Sequence, residues 1–95
     1  MDNKLATHAL KKSCAFILDT GTHLKTLAMI NELLVLRKIE VLFLQFQVFN
    51  ESHATIILHC RLERDKIKFI AQQLRNLNGV NKIEWMEDTA REKQY

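Results

Sequence analysis

The chain has 95 residues, 47% of them hydrophobic and 26% charged, with a formal net charge of +3. That is enough for one domain and one core but not for two, and the balance is that of an ordinary globular protein, which excludes disordered and fibrous classes. No apolar run reaches the length of a membrane span and the opening MDNKLATHALKKS lacks a signal peptide's apolar stretch, so a cytoplasmic address without a membrane partner is expected.

Residues 1–12 carry few periodic apolar positions and are expected to form an N-terminal tail to a single domain over 13–86. In 13–20 (SCAFILDT) both Cys14, Phe16, Leu18 and the alternate Ala15, Ile17 are apolar, the pattern of a central strand covered on both faces. Asp19 to His23 reads as a turn, with Thr20 or Thr22 placed to cap the following helix. Over 24–37 the helical period sets Leu24, Leu27, Ile30, Leu33 and Leu34 on one stripe, with Ala28 beside it. Residues 41–49 and 54–62 alternate as strands, and Asn50-Glu51-Ser52-His53 between them reads as a hairpin turn.

A second helix is expected over 66–78, with Asp65 as N-cap, a stripe of Ile67, Ile70, Ala71, Leu74 and Leu77, and Gly79 as its stop. Residues 80–86 form the last strand and 87–95 a charged tail. The order β-α-β-β-α-β predicts an α+β, ferredoxin-like sandwich: a four-stranded antiparallel sheet with two helices on one face. The other face is expected to carry Ile57 with either Ala15 and Ile17 or Phe16 and Leu18, and Val41 and Phe43 beside them. A patch of that size favours pairing, so a homodimer or higher oligomer, through sheet or edge, is expected.

Chemistry-bearing constellations are sparse. The histidines, His8, His23, His53 and His59, form no pair at metal-ligand spacing, and His59 and Cys60 point to opposite faces of a strand. No catalytic residue, metal site or cofactor is expected, and the chain reads as a non-enzyme. Asp19 has no second acid in fixed relation to it, and a turn or cap role suits it better. Cys14 and Cys60 fall in strands that this topology makes neighbours; a bridge is geometrically conceivable, and free buried thiols are the expectation. The basic residues are scattered, with no run longer than two, and read as solvated surface. The RNA-recognition fold shares this element order, but its base-stacking aromatics are missing from ATIILHCRL and only Phe16 stands in strand one, so no nucleic-acid partner is expected. His23 lies where the N–H groups opening the first helix point outward, a place suited to an anion.

The segment from Phe16 to Met86 resembles an ACT domain, the small amino-acid-sensing module. Within that superfamily it is most similar to the short regulatory small subunit of acetolactate synthase. The likeness rests on the apolar strand ending in Asp19-Thr20, on Leu27-x-x-Ile30-x-x-Leu33-Leu34-x-x-Arg37, and on Leu74-x-x-Leu77-x-Gly79-Val80 followed by Ile83-Glu84. It implies a non-catalytic regulatory subunit in branched-chain amino acid biosynthesis, with a large thiamine-diphosphate-dependent synthase as partner. It also implies a small amino-acid effector, whose carboxylate is held by the turn after strand one, against the start of strand two of a paired domain. Carried onto this chain, those positions are Gly21, Thr22, His23, Leu24 and Lys25 on the turn, and Ile39 and Glu40 on the strand. The family's Asn-Glu-x-Gly turn here reads Thr20-Gly21-Thr22-His23-Leu24-Lys25, so that Gly21 or Lys25 takes the glycine place depending on the direction of counting. The family's Arg-Gly-x-Asn-Ile becomes Arg37-Lys38-Ile39-Glu40-Val41. An assembly module of the same fold without a small-molecule ligand is the alternative.

Overall fold

A computed structural model of the chain describes residues 11–87; the tails expected over 1–12 and 87–95 fall almost wholly outside them. The elements are β1 (Lys11–Thr20), α1 (Leu24–Leu36), β2 (Glu40–Val48), β3 (Ala54–Glu63), a 3₁₀ turn (Arg64–Lys66), α2 (Ile67–Arg75) and β4 (Val80–Glu87). The strands form one antiparallel sheet in the order β2-β3-β1-β4. Each helix therefore crosses over one intervening strand, the split βαβ arrangement expected from the element order. β1 begins two residues before the apolar run, because Lys11 and Lys12 continue the ladder against Glu63 and Leu62.

Alternation along the central strands selects one core face. Cys14, Phe16 and Leu18 of β1 and Ile56, Leu58 and Cys60 of β3 are fully buried and join Ile30 and Leu34 of α1 and Ile67, Ile70, Ala71 and Leu74 of α2 in one cluster. Both helices thus cover the same face. The α2 stripe is the one its periodicity predicts, and each of its large aliphatic side chains contributes roughly 1.5–3 kcal/mol through burial. The α1 stripe holds for Ile30 and Leu34, with Leu27 and Leu33 packed at its margin, but not at its first position. Its buried residues are Thr26, Ile30 and Leu34, while Leu24, expected inside, is 68% exposed. Thr26 takes an inner position because its hydroxyl donates to the Asn78 carbonyl, 3.3 Å away.

The helix ends also differ from expectation. Neither Thr20 nor Thr22 caps α1: the N-cap is His23, which makes no side-chain cap bond, and the Thr22 hydroxyl donates to the Glu51 carbonyl at 3.0 Å. Asp65 lies inside the 3₁₀ turn, and Lys66 is the N-cap of α2. Gly79 stands four residues beyond the end of α2, in a turn closed by the Val80 N–H donating to the Leu77 carbonyl at 3.2 Å. Its φ of +94° suits the third position of such a turn, where glycine is preferred.

α1 closes differently. The Lys38 N–H donates to the Val35 carbonyl and the Ile39 N–H to the Leu34 carbonyl, at 3.1 and 3.0 Å, which is a Schellman motif with its left-handed residue at Lys38, φ 55°. A lysine there costs about 1–2 kcal/mol that glycine would not.

The uncovered sheet face is mixed, not a continuous apolar patch. Its rows read Phe43-His59-Ala15-Met86, Gln45-Ile57-Ile17-Glu84 and Gln47-Thr55-Asp19-Lys82 across β2, β3, β1 and β4. Of the two alternatives for β1, Ala15 and Ile17 lie here and Phe16 and Leu18 are in the core. Val41 does not join Phe43: a register shift between them leaves Val41 opposite the core-facing Cys60, because one extra residue reverses the alternation. Polar side chains divide the remaining apolar ones. Exposed apolar area gathers instead along the edge strand β2, where Val41, Leu42, Phe43, Leu44 and Val48 are all exposed. Among the described residues no helix is long and apolar enough to cross a membrane.

Candidate functional site

The β1–α1 turn is tied down from both sides. The Gly21 N–H donates to the Gly79 carbonyl at 3.3 Å, and the Thr22 hydroxyl fixes the turn to the β2–β3 hairpin at Glu51. The His23 carbonyl accepts from the Thr26 N–H at 3.1 Å and opens the helix. Leu24 and Lys25 project outward. The Leu24 and Lys25 N–H groups that open α1 have no capping side chain, an arrangement able to receive a carboxylate. Gly21 has open space where a Cβ would stand and no left-handed φ, so nothing in its own conformation requires glycine.

Ile39 and Glu40 are at the other end of the molecule. A 13-residue helix separates them from the turn, about 20 Å at 1.5 Å per residue. One chain alone therefore does not bring the two halves of the expected site together. Ile39 is half-buried under the end of α1, and Glu40 sits 3.7 Å from the Arg61 guanidinium.

Lys38, between Arg37 and Ile39, holds a left-handed backbone without being glycine.

The other candidates sort plainly. Asp19 caps nothing; its carboxylate faces the uncovered sheet, 3.7 Å from His53 Nε2. His59 lies on the same face between Ala15 and Phe43. Cys14 and Cys60 are directly opposite in the ladder and are free thiols. Burial pushes their pKa values up, to about 11 and about 12, so neither is a nucleophile near neutral pH. Among the described residues no group of three or more His, Cys, Asp or Glu converges to hold a metal ion.

Sequence reasoning missed one feature. Five basic side chains that look scattered along the chain, Lys11, Arg37, Lys38, Arg61 and Lys66, line a single cleft of about 620 Å³. They come from β1, the α1–β2 connection, β3 and the 3₁₀ turn, so no local run signals the cluster.

No family model matches the sequence, and no curated protein matches it. The fold has clear relatives among solved structures. The uncharacterised protein TM1266 of Thermotoga maritima superposes with a TM-score of 0.68 at 20% identity, covering 83% of this chain and 99% of that one. The ACT domain of the GTP pyrophosphokinase of Chlorobium tepidum gives 0.68 at 13% identity over 81% and 88%. The C-terminal domain of the Mycobacterium tuberculosis MgtC protein gives 0.67 at 13% over 82% and 88%. At these identities the likeness is one of fold, and the fold is the ACT-like ferredoxin sandwich.

Proposed function

We propose that this chain is a non-catalytic ACT-type regulatory module that works as a homodimer paired through β2. The observation that carries this is the character of that strand. β2 is a sheet edge of nine residues, EVLFLQFQV, with a single charge at its first position and no proline. Natural edges of that length are normally blunted by lysine, proline or a covering element. The opposite edge, β4, follows the rule, carrying Lys82, Glu84 and Glu87. An unblunted apolar edge is suited to pairing with a second copy of itself.

Antiparallel pairing of β2 with its copy about a two-fold axis near Leu44 sets Glu40 beside the partner's Val48. The hairpin beyond Val48 is where Thr22 holds the β1–α1 turn. Such a dimer unites Ile39 and Glu40 of one copy with Gly21, Thr22, His23, Leu24 and Lys25 of the other, the two halves that one chain keeps apart. The effector suited to this junction is a small apolar α-amino acid, its carboxylate on the uncapped first turn of α1. By its sequence resemblance, the dimer serves as the small subunit of a thiamine-diphosphate-dependent synthase of the acetolactate synthase type.

Sedimentation and calorimetry test the reading in turn. Sedimentation equilibrium at micromolar concentration is expected to give a dimer, and titration with valine, leucine and isoleucine is expected to give heat for at least one. Adding the chain to a purified synthase large subunit is expected to change its rate. A monomer at high micromolar concentration refutes the assembly. A dimer that binds none of the three amino acids makes the chain an assembly module without ligand, a reading favoured by the lysine at the family's glycine place.

A further inference from the structure

The basic cleft lies between the end of α1 and the start of α2, with Lys11 and Arg61 contributed by the sheet. Two of its five cations are answered by acids: Lys66 Nζ is 3.3 Å from Glu63 Oε1, and Arg61 is 3.7 Å from Glu40. The partners of Arg37 are neutral, Gln73 Oε1 at 3.1 Å and the Phe69 ring, whose centroid is 4.9 Å from the guanidinium carbon. Lys11 and Lys38 have no ion pair among the described residues. Five cations thus face two acids, Glu40 beside Arg61 and Glu63, which lines the cleft and stands opposite Lys11 in the ladder, and the remaining excess of positive charge favours entry of an anion.

Two further observations point the same way. Lys38 presents its charge from a left-handed backbone position that glycine would hold without strain, and strain kept in place is a mark of functional positions. Phe69 is 46% exposed although it belongs to the helix that supplies much of the core, and with Arg37 it makes a preorganised stacking platform above an apolar floor of Leu62 and Ile70. A volume of about 620 Å³ is within the range of small-molecule sites.

We propose that this cleft binds a small phosphate-bearing ligand with a planar ring, of the nucleoside di- or triphosphate class. Lys11, Lys38 and Arg37 meet the phosphates, and the ring lies on the Arg37–Phe69 platform. The site belongs wholly to one chain and shares only Ile39 with the effector site proposed above, so it does not depend on dimer formation.

The test is calorimetry of the full chain at low salt with ATP, pyrophosphate, inorganic phosphate and adenosine. ATP is expected to bind most tightly, pyrophosphate more weakly, and adenosine not detectably. Lys38→Gly is expected to weaken ATP binding about tenfold, the loss of one charge-assisted contact, while Lys38→Arg keeps it. Phe69→Ala is expected to bring ATP down to the affinity of pyrophosphate and leave pyrophosphate unchanged. No ATP binding at millimolar concentration overturns the proposal, as does an affinity that Lys38→Gly leaves unaltered. A single-stranded oligonucleotide that binds more tightly than ATP, with a salt slope of several phosphates, also overturns it and makes the cluster a nucleic-acid surface.

Discussion

Gly79 is the position where the smallest change should have the largest effect on the fold. A Cβ built there collides with Thr26 Oγ1 and lies 3.3 Å from Thr26 Cβ, on a backbone with φ +94°. Gly79→Ala therefore meets two separate penalties. The positive φ costs about 1–2 kcal/mol. Thr26 must also move, which breaks its hydroxyl bond to Asn78, worth about 0.5–1.5 kcal/mol, and disturbs a packed side chain. The sum is about 2–4 kcal/mol, and each kcal/mol lowers Tm by roughly 4–8 °C in a domain of this size. Thr26→Ala alone should cost about 1–2 kcal/mol, for one hydrogen bond and one methyl group. The two costs should not add. Once Thr26 is alanine, the colliding hydroxyl is gone and only the Cβ at 3.3 Å remains, so the double variant should be about 1–2 kcal/mol more stable than the sum predicts. Urea denaturation followed by circular dichroism of the four proteins measures this coupling. Additivity within about 0.5 kcal/mol would refute the contact between the α2–β4 turn and α1.

Three other outcomes follow from the same geometry. Leu44→Lys places two like charges across the two-fold axis of a β2-paired dimer; Leu44 is already 38% exposed, so the variant should sediment as a folded monomer, and a surviving dimer would remove β2 from the interface. Lys38→Gly relieves a left-handed lysine and should raise stability by about 0.5–1 kcal/mol after the added freedom of the unfolded chain is counted, read as a higher urea midpoint. The buried thiols make the fold alkali-sensitive. Their values lie at about 11 and about 12 in the folded chain against an ordinary 9.0, so the unfolded chain loses its thiol protons first. The stabilisation is full below pH 9 and declines as pH rises toward the folded values, on the order of 1 kcal/mol per thiol at about pH 10. Cys14→Ala with Cys60→Ala should flatten the stability profile between about pH 9 and 11, and an equally steep decline in that variant would assign the effect elsewhere.

Element type and order were legible in the residues because they depend on short-range period. Ile67, Ile70, Ala71 and Leu74 read as one stripe from spacing alone, and the four strand runs read as alternation. The turn read at Asp19 to His23 falls at the β1–α1 junction, where β1 ends at Thr20 and α1 begins at Leu24, for the same reason. Caps were less legible. Thr22 and Asp65 are good N-cap types, yet Thr22 is drawn to Glu51 across the fold, and Asp65 falls in a 3₁₀ turn. Those outcomes depend on neighbours far away in sequence.

The amino-acid sequence by itself determined the six elements, their order and hence the split sheet, since hydrophobic periodicity selects which residues must turn inward. Tertiary structure alone decided which surfaces are available. One extra residue at Leu42 turned Val41 away from Phe43, polar rows divided the uncovered face, and β2 was left as the bare edge. Long-range packing likewise drew Lys11, Arg37, Lys38, Arg61 and Lys66 around one cleft. Period is a local property of a chain, whereas register and the convergence of charges are properties of residues that meet only after it has folded.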